Sequence, residues 1–360
     1  MINGYTQLRK QVYEDSLRGA FVKSIQEIHD RVRIGEIKRL QSPITVFWEI
    51  TSRCNLTCKH CYADPYVIRN KENIDEIDLT QAYHIIDELA AQQVWEVVLQ
   101  GGEPLCYSYI NQVISYIKQK GLSVTILTNG TRLTDEIYYT IKQGFEKTDL
   151  IQISLDGYGS WNDYIRGKGV YKTVIQNLKH LDIKNIVINV VVTKENLYSL
   201  QQMCDDIMTQ THVRSIHFSP VMQTGKGKSF QSPTPRESIS VFLRLKEIYN
   251  EIMFSGTMFP DTVFLKEGNP YHIDLRKTRL GCCAGRSKLF IDYQGRVYSC
   301  DFRRNDEYMS IFQNSLSQIW NKLWSEQIEK SYVTSQQMHK DNIFLAYCPN
   351  MKDGETYEPI

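Results

Sequence analysis

The chain has 360 residues, 42% hydrophobic and 23% charged, with a formal net charge of +1 at pH 7. This composition suits a globular protein with one large core and a smaller one, and its charge gives no reason to expect nucleic acid or an acidic membrane as a partner. No apolar run approaches the length of about 18 residues that reads as a membrane span, and the opening MINGYTQLRKQVYEDSLRG has no signal-peptide core. A cytoplasmic location is expected, where nine cysteines serve as ligands more readily than as disulfides.

In residues 1–43, Leu17, Phe21, Ile25, Ile28 and Val32 recur at helical steps among Lys, Arg and Glu. They predict a helical extension packed on the outside of the next domain, or a docking helix for a partner or peptide. From 44 to 256 short β-rich runs alternate with helical patterns, the rhythm of βα units around a parallel sheet. Strands are expected at 44–50, 94–100, 122–127, 150–154, 185–193 and 214–219, and helices at 79–92, 107–119, 134–143, 170–181, 197–210 and 235–254. Thr134 is placed to cap its helix. Val241, Leu245, Ile248 and Ile252 read as the core stripe of the last helix, with Gly256 ending it. The stretch 222–236, MQTGKGKSFQSPTPR, has the composition of a linker. Beyond 256 the rhythm stops and cysteines gather, marking 257–360 as a second, smaller module.

The string CNLTCKHC puts Cys54, Cys58 and Cys61 directly after the first strand. Structural zinc takes four closed ligands, and no fourth Cys or His stands at a zinc-finger interval. Three thiolates with one open position suit a cubane iron–sulfur cluster whose fourth iron binds something exchangeable. In an α/β barrel the working groups gather on loops at the C-terminal ends of the strands. Here those positions hold Gly101-Gly102-Glu103-Pro104, Thr128-Asn129-Gly130 and Ser154-Leu155-Asp156-Gly157. Paired glycines admit close backbone approach and the carboxylate beside them can accept from an ammonium. Each stretch also reads as an ordinary turn.

With these motifs in this order the chain resembles the radical SAM superfamily, whose signature is C-x3-C-x2-C after the first barrel strand. The resemblance implies an α/β fold, a partial (β/α)6 TIM-like barrel between the N-terminal helical extension and a small α+β auxiliary-cluster domain. It implies a [4Fe-4S] cluster on Cys54, Cys58 and Cys61 with S-adenosylmethionine (SAM) on the open iron. Gly101, Gly102 and Glu103 are then expected to hold the SAM amino group, Arg166 to pair with its carboxylate, and His60 to pack against it. Asn129, Ser154, Asp156 and Asn189 are further SAM-contact candidates. Ser219 is a weaker one, as is Lys226, which stands where relatives often carry Arg. The family's His-Asp before the arginine is here Asn162-Asp163, so residue 162 takes no role.

In the second module, Cys282, Gly295 and Cys300 follow C-x12-G-x4-C, which resembles the opening of the auxiliary-cluster domains called SPASM and twitch. Lys288–Asp292 and Arg296–Ser299 read as a hairpin across Tyr293-Gln294-Gly295. Cys348 completes a three-cysteine site, leaving Cys283, substrate or solvent as fourth ligand, with Cys283 read as a spacer. The later C-x2-C-x5-C-x3-C run of a full SPASM domain is missing, so one auxiliary [4Fe-4S] cluster is expected. A structural zinc on four of these sulfurs is the alternative. Cys106 and Cys204 are read as structural. Asp301 stands where anaerobic sulfatase maturases carry a base, and otherwise as a hairpin-end aspartate bonding local backbone.

The resemblance implies reductive cleavage of SAM to a 5′-deoxyadenosyl radical and hydrogen abstraction from substrate, with electrons from a flavodoxin or ferredoxin. A ribosomally made peptide undergoing maturation is the first substrate expectation. A small molecule of an antibiotic or tetrapyrrole pathway is the second. A non-catalytic iron–sulfur or zinc protein is the alternative of another class.

Overall fold

The structure is a computed structural model, and it describes residues 25, 28, 29, 32, 37, 39–67, 76–181, 183, 185–222, 224–256, 283–302, 304 and 308–323. Leu17, Phe21, Cys282 and Cys348 lie outside the described residues.

Seven strands, β1 (Thr45–Thr51), β2 (Glu96–Gly101), β3 (Ser123–Thr128), β4 (Leu150–Ser154), β5 (Ile186–Val192), β6 (Ser215–Pro220) and β7 (Met253–Gly256), lie in chain order and pair in parallel. Between them come α1 (Leu79–Ala91), α2 (Ile110–Gln119), α3 (Asp135–Gly144), α4 (Gly159–Arg166), α5 (Val170–His180), α6 (Leu200–Gln210) and α7 (Pro235–Ile248). On the free edge of β1, β8 (Lys288–Ile291) adds in parallel, followed antiparallel by β9 (Arg296–Tyr298) and β10 (Met309–Ser310). Among the described residues the result is a mixed α/β fold on a ten-stranded sheet, consistent with a partial TIM barrel.

The register explains the sequence pattern of the strands. Val46, Trp48 and Ile50 fall on the helix-covered face with Val97, Leu99, Val124, Ile126, Ile151, Ile153, Ile188, Ile216 and Phe218, all buried in one apolar core. Each such Ile, Val or Phe contributes about 1.5–3 kcal/mol by leaving water. The opposite face carries Phe47, Glu49, Gln100, Thr125, Gln152, Ser154, Asn189, His217 and Ser219. Val98, Leu127 and Val191 share this face, so it mixes polar and apolar side chains where the helix-covered face is apolar.

Helix starts follow local chemistry. Asp78 with Gln81 and Thr234 with Glu237 form reciprocal capping boxes on α1 and α7, and Thr134 accepts from Ile137 N on α3. Three expectations change. The last helix stops at Ile248, whose side chain is 45% exposed, and Gly256 ends a strand instead of a helix. Ile252 is buried but lies beyond the helix, since Met253–Gly256 pairs with β6. The supposed linker at 222–236 contains a 3-10 turn, Gly225–Ser229, packed on the cysteine loop.

Ile25, Ile28 and Val32 are buried in the main core, and His29 Nδ1 lies 2.7 Å from Ser287 Oγ. Among the described residues no helix is long and apolar enough to cross a membrane.

Candidate functional site

The loop that leaves β1 carries Cys54, Cys58 and Cys61, and other loops at the same end of the sheet hold it on three sides. From β2, Glu103 N donates to Arg53 O at 2.6 Å and Gly102 N to Thr51 O at 2.9 Å. A Cβ on Gly102 would stand 2.2 Å from Arg53 O, so glycine is a steric requirement there. From α4, Ile165 O accepts from Lys59 N at 2.8 Å, and the Lys59 ammonium sits 3.4 Å from the centre of the Tyr164 ring. From the 3-10 turn before α7, Lys226 N donates to Cys61 O at 3.0 Å and its ammonium pairs with Asp64 at 2.8 Å. Gly225, at φ +52°, lies so close that a Cβ would come within 2.6 Å of Cys61 O.

Within the loop Leu56 N donates to Cys54 Sγ at 3.5 Å, and burial pushes the Cys54 thiol up to about 12. Such a thiol ionises when a metal supplies the compensating positive charge. Glu103 is 1% exposed. One oxygen accepts from Thr128 Oγ1 at 2.6 Å and Leu105 N at 3.1 Å, the other from Asn129 N at 2.7 Å. Burial raises its pKa against the pull of these three bonds. Its carboxylate is thereby aimed by two loops at once. Asn129 Oδ1 accepts from Thr131 N at 2.9 Å and its amide donates to Asn55 Oδ1 at 3.0 Å, tying the third loop to the cysteine loop.

Asp156 and Arg166 pair with each other. Asp156 is fully buried, with Oδ2 at 2.7 Å from His60 Nε2 and 2.6 Å from Arg166 Nε. Its Oδ1 accepts from Val191 N at 2.9 Å. Burial works to raise the Asp156 pKa, but the Arg166 guanidinium and His60 outweigh it and hold the carboxyl well below the usual range. Asn162 is fully buried and accepts from Asp156 N at 2.9 Å, so the residue left without a role shapes the turn. Ser154 is in register with Asn189, whose Oδ1 accepts from Ser219 Oγ at 2.8 Å, forming a polar row across β4, β5 and β6.

The second module touches the cysteine loop through the segment that follows β9. Asp301 Oδ2 accepts from Tyr62 OH at 3.1 Å and its Oδ1 from Cys300 Sγ at 3.3 Å. Tyr62 follows Cys61 and Asp301 follows Cys300, so the two cysteine loops touch. Cys283 is buried and its thiol donates to His29 O at 3.5 Å, turned into the core. Cys204 is fully buried in α6, and the Cys106 thiol reaches Asn55 Oδ1 at 3.9 Å.

A buried ion pair was missed from the sequence. Glu49, 1% exposed, pairs with Arg304 of the second module, whose guanidinium also stacks 4.1 Å from the Tyr66 ring centre. Burial lifts the Glu49 pKa to about 7 against the pull of Arg304. The available signal was the one charged residue in the buried TVFWEIT strand.

The model of the radical SAM superfamily matches residues 48–207, and that of the iron–sulfur cluster-binding SPASM domain matches 282–345. The chain carries a radical SAM domain followed by a SPASM domain. Mycofactocin maturase MftC of Mycolicibacterium smegmatis is 29% identical over 280 residues, covering 75% of this chain and 67% of the relative. Fe-coproporphyrin III synthase of Methanosarcina barkeri is 24% identical over 308 residues, covering 79% and 75%. The structure of Streptococcus suis SuiB bound to S-adenosylmethionine superposes with a TM-score of 0.65 at 15% identity, covering 86% of this chain and 73% of that one.

A radical SAM domain implies a [4Fe-4S] cluster and SAM, and a SPASM domain implies auxiliary iron–sulfur chemistry. The described residues fit the first group. Three thiols from one loop are backed by glycines that leave no room for side chains, with a buried carboxylate beside them.

Proposed function

We propose that this radical SAM enzyme takes a hydrogen atom from a ribosomally made peptide and thereby matures it, by cross-link, thioether, epimerisation or oxidation. The supporting observation is the contact between the two cysteine loops, Tyr62 OH on Asp301 at 3.1 Å. It sets Cys300, an auxiliary-cluster ligand in this reading, beside the loop that carries Cys54, Cys58 and Cys61. When bound, the cluster and SAM supply one-electron cleavage of SAM and the radical that removes the hydrogen.

In this reading Cys54, Cys58 and Cys61 hold the SAM cluster, and Glu103 with Gly101 and Gly102 receives the SAM amino group. Glu103 is well suited because its three donors fix the carboxylate, two on Oε1 and one on Oε2, and leave acceptor capacity on Oε2. Asn129, Ser154 and Asn189 orient the polar parts of SAM from neighbouring strand ends. His60 is held through Nε2 by Asp156, and its ring meets that of Phe230 edge-on at 6.1 Å. Arg166 and Asp156 act from behind the loop. Cys300, with Cys282 and Cys348, holds one auxiliary cluster. Asp301, half-buried and bonded by the Tyr62 hydroxyl, takes the proton lost by the oxidised substrate.

The peptide reading also draws on MftC, named as a maturase, and on SuiB, crystallised with the precursor peptide SuiA. The resemblance to Fe-coproporphyrin III synthase favours a second reading, a small-molecule oxidation or decarboxylation. Short peptides encoded beside the gene, and haem precursors in parallel, would be incubated with the anaerobically reconstituted enzyme, SAM and dithionite. A peptide mass change with stoichiometric 5′-deoxyadenosine supports the proposal. Turnover of a porphyrin with every peptide unchanged would reverse the preference. Cys58→Ala should abolish 5′-deoxyadenosine formation, and cleavage retained in it refutes the cluster assignment.

A further inference from the structure

Asp156 has every polar group engaged inside the protein. Beyond His60, Arg166 and Val191 on its carboxylate, its backbone N–H donates to Asn162 and its carbonyl accepts from Asn196 Nδ2 at 2.8 Å. Its two charged or chargeable partners both belong to the cysteine loop or its support. His60 lies between Cys58 and Cys61, and Ile165, next to Arg166, accepts the Lys59 N–H. The Arg166 guanidinium is 7% exposed and interacts electrostatically with Cys58 and Cys61. A buried anion and a buried cation therefore stand against the loop that carries the thiols. Charges shielded from water act strongly on a neighbouring redox group. Reduction makes an iron–sulfur cluster more negative, so the guanidinium favours the reduced state and the carboxylate opposes it.

We propose that Asp156 lowers the reduction potential of the cluster carried by Cys54, Cys58 and Cys61, by offsetting the Arg166 charge while it fixes the His60 imidazole. Asp156 makes and breaks no bond in this role. The proposal rests on the assignment of those three cysteines and is independent of the peptide substrate.

The test is a potentiometric titration of the reconstituted full chain without substrate, following the reduced-cluster paramagnetic signal that Cys58→Ala removes. At the wild-type midpoint, Asp156→Asn should raise the ratio of reduced to oxidised cluster about tenfold, which for one electron is about 59 mV. Arg166→Gln should lower that ratio, and Arg166→Lys should leave it near the wild-type value. Asp156→Asn/Arg166→Gln, which removes both charges, should return close to wild type. An unchanged or more negative midpoint in Asp156→Asn overturns the proposal, as do shifts of the same sign in both single variants. If Asp156→Asn fails to keep its iron, the double variant decides. Iron retention at the wild-type midpoint supports the electrostatic role, and loss there too means that Asp156 only docks the loop. A signal that survives in Cys58→Ala would instead strike the cysteine assignment.

Discussion

Glu49 is the ionisable group on which burial and ion pairing oppose each other most directly. Its partner Arg304 lies on the far side of a 255-residue separation, and the pair sits on the inner face of the sheet with Glu49 1% exposed. Burial wins, lifting the carboxyl from 4.5 to about 7. A folded-state pKa above the unfolded one means that the protonated acid is the form the fold prefers. That preference is fully present below the unfolded value and is lost as the pH rises through 7. With about 1.4 kcal/mol for each pH unit between the two values, the loss is about 3 kcal/mol. Glu49→Gln mimics the neutral acid at every pH, so the difference between wild type and variant isolates this one group. Urea unfolding of the two cluster-free proteins, under reducing conditions and across pH 4.5 to 8.5, should show wild type losing about 3 kcal/mol relative to Glu49→Gln. A difference independent of pH, or one that favours wild type as the pH rises, would mean that the Arg304 pair outweighs burial.

Three other perturbations test separate parts of the site. Gly102→Ala places a Cβ against backbone oxygens at 2.2 and 2.8 Å, which no side-chain rotation relieves. It should cost about 1–3 kcal/mol and displace the cysteine loop, read as lost stability together with lost iron. Full iron loading and wild-type melting would show that the two loops separate freely. Asp301→Ala should leave SAM cleavage intact while product formation stops, and normal product yield would retire it as a base. Trp48→Ala, in the centre of the core, should cost about 3–5 kcal/mol in urea unfolding, and a cost under 1 kcal/mol would contradict its place there.

The parts legible in the sequence were those set by local periodicity and by spacing. Ile44–Ile50 and its five successors alternate or run apolar over strand lengths, and they became strands. Thr134 capped its helix, and Tyr293-Gln294-Gly295 turned a hairpin with Gly295 at φ +76°. Ile252 and Gly256 misled because they also satisfy a helical spacing. What decided their fate was a vacant sheet edge on β6, which no local pattern records. The Gly and Lys residues of TGKG resembled a linker because close approach and flexibility call for the same small residues. Asp156 with His60 and Glu49 with Arg304 were illegible for a plainer reason. They join residues 96 and 255 positions apart, and the pairing exists only once the sheet has assembled. The parallel seating of β8 on β1, which carries the second module to the cysteine loop, belongs to the same class.

Two iron–sulfur clusters are expected in this chain, one of them on Cys54, Cys58 and Cys61. Iron and sulfide should be counted after anaerobic reconstitution of wild type and of a Cys54/Cys58/Cys61→Ala variant. About eight irons per chain falling to about four is the expected result, by the stoichiometry of two cubane clusters. About four falling to none, with zinc bound in their place or in the second module, would contradict the account and remove the auxiliary cluster from it.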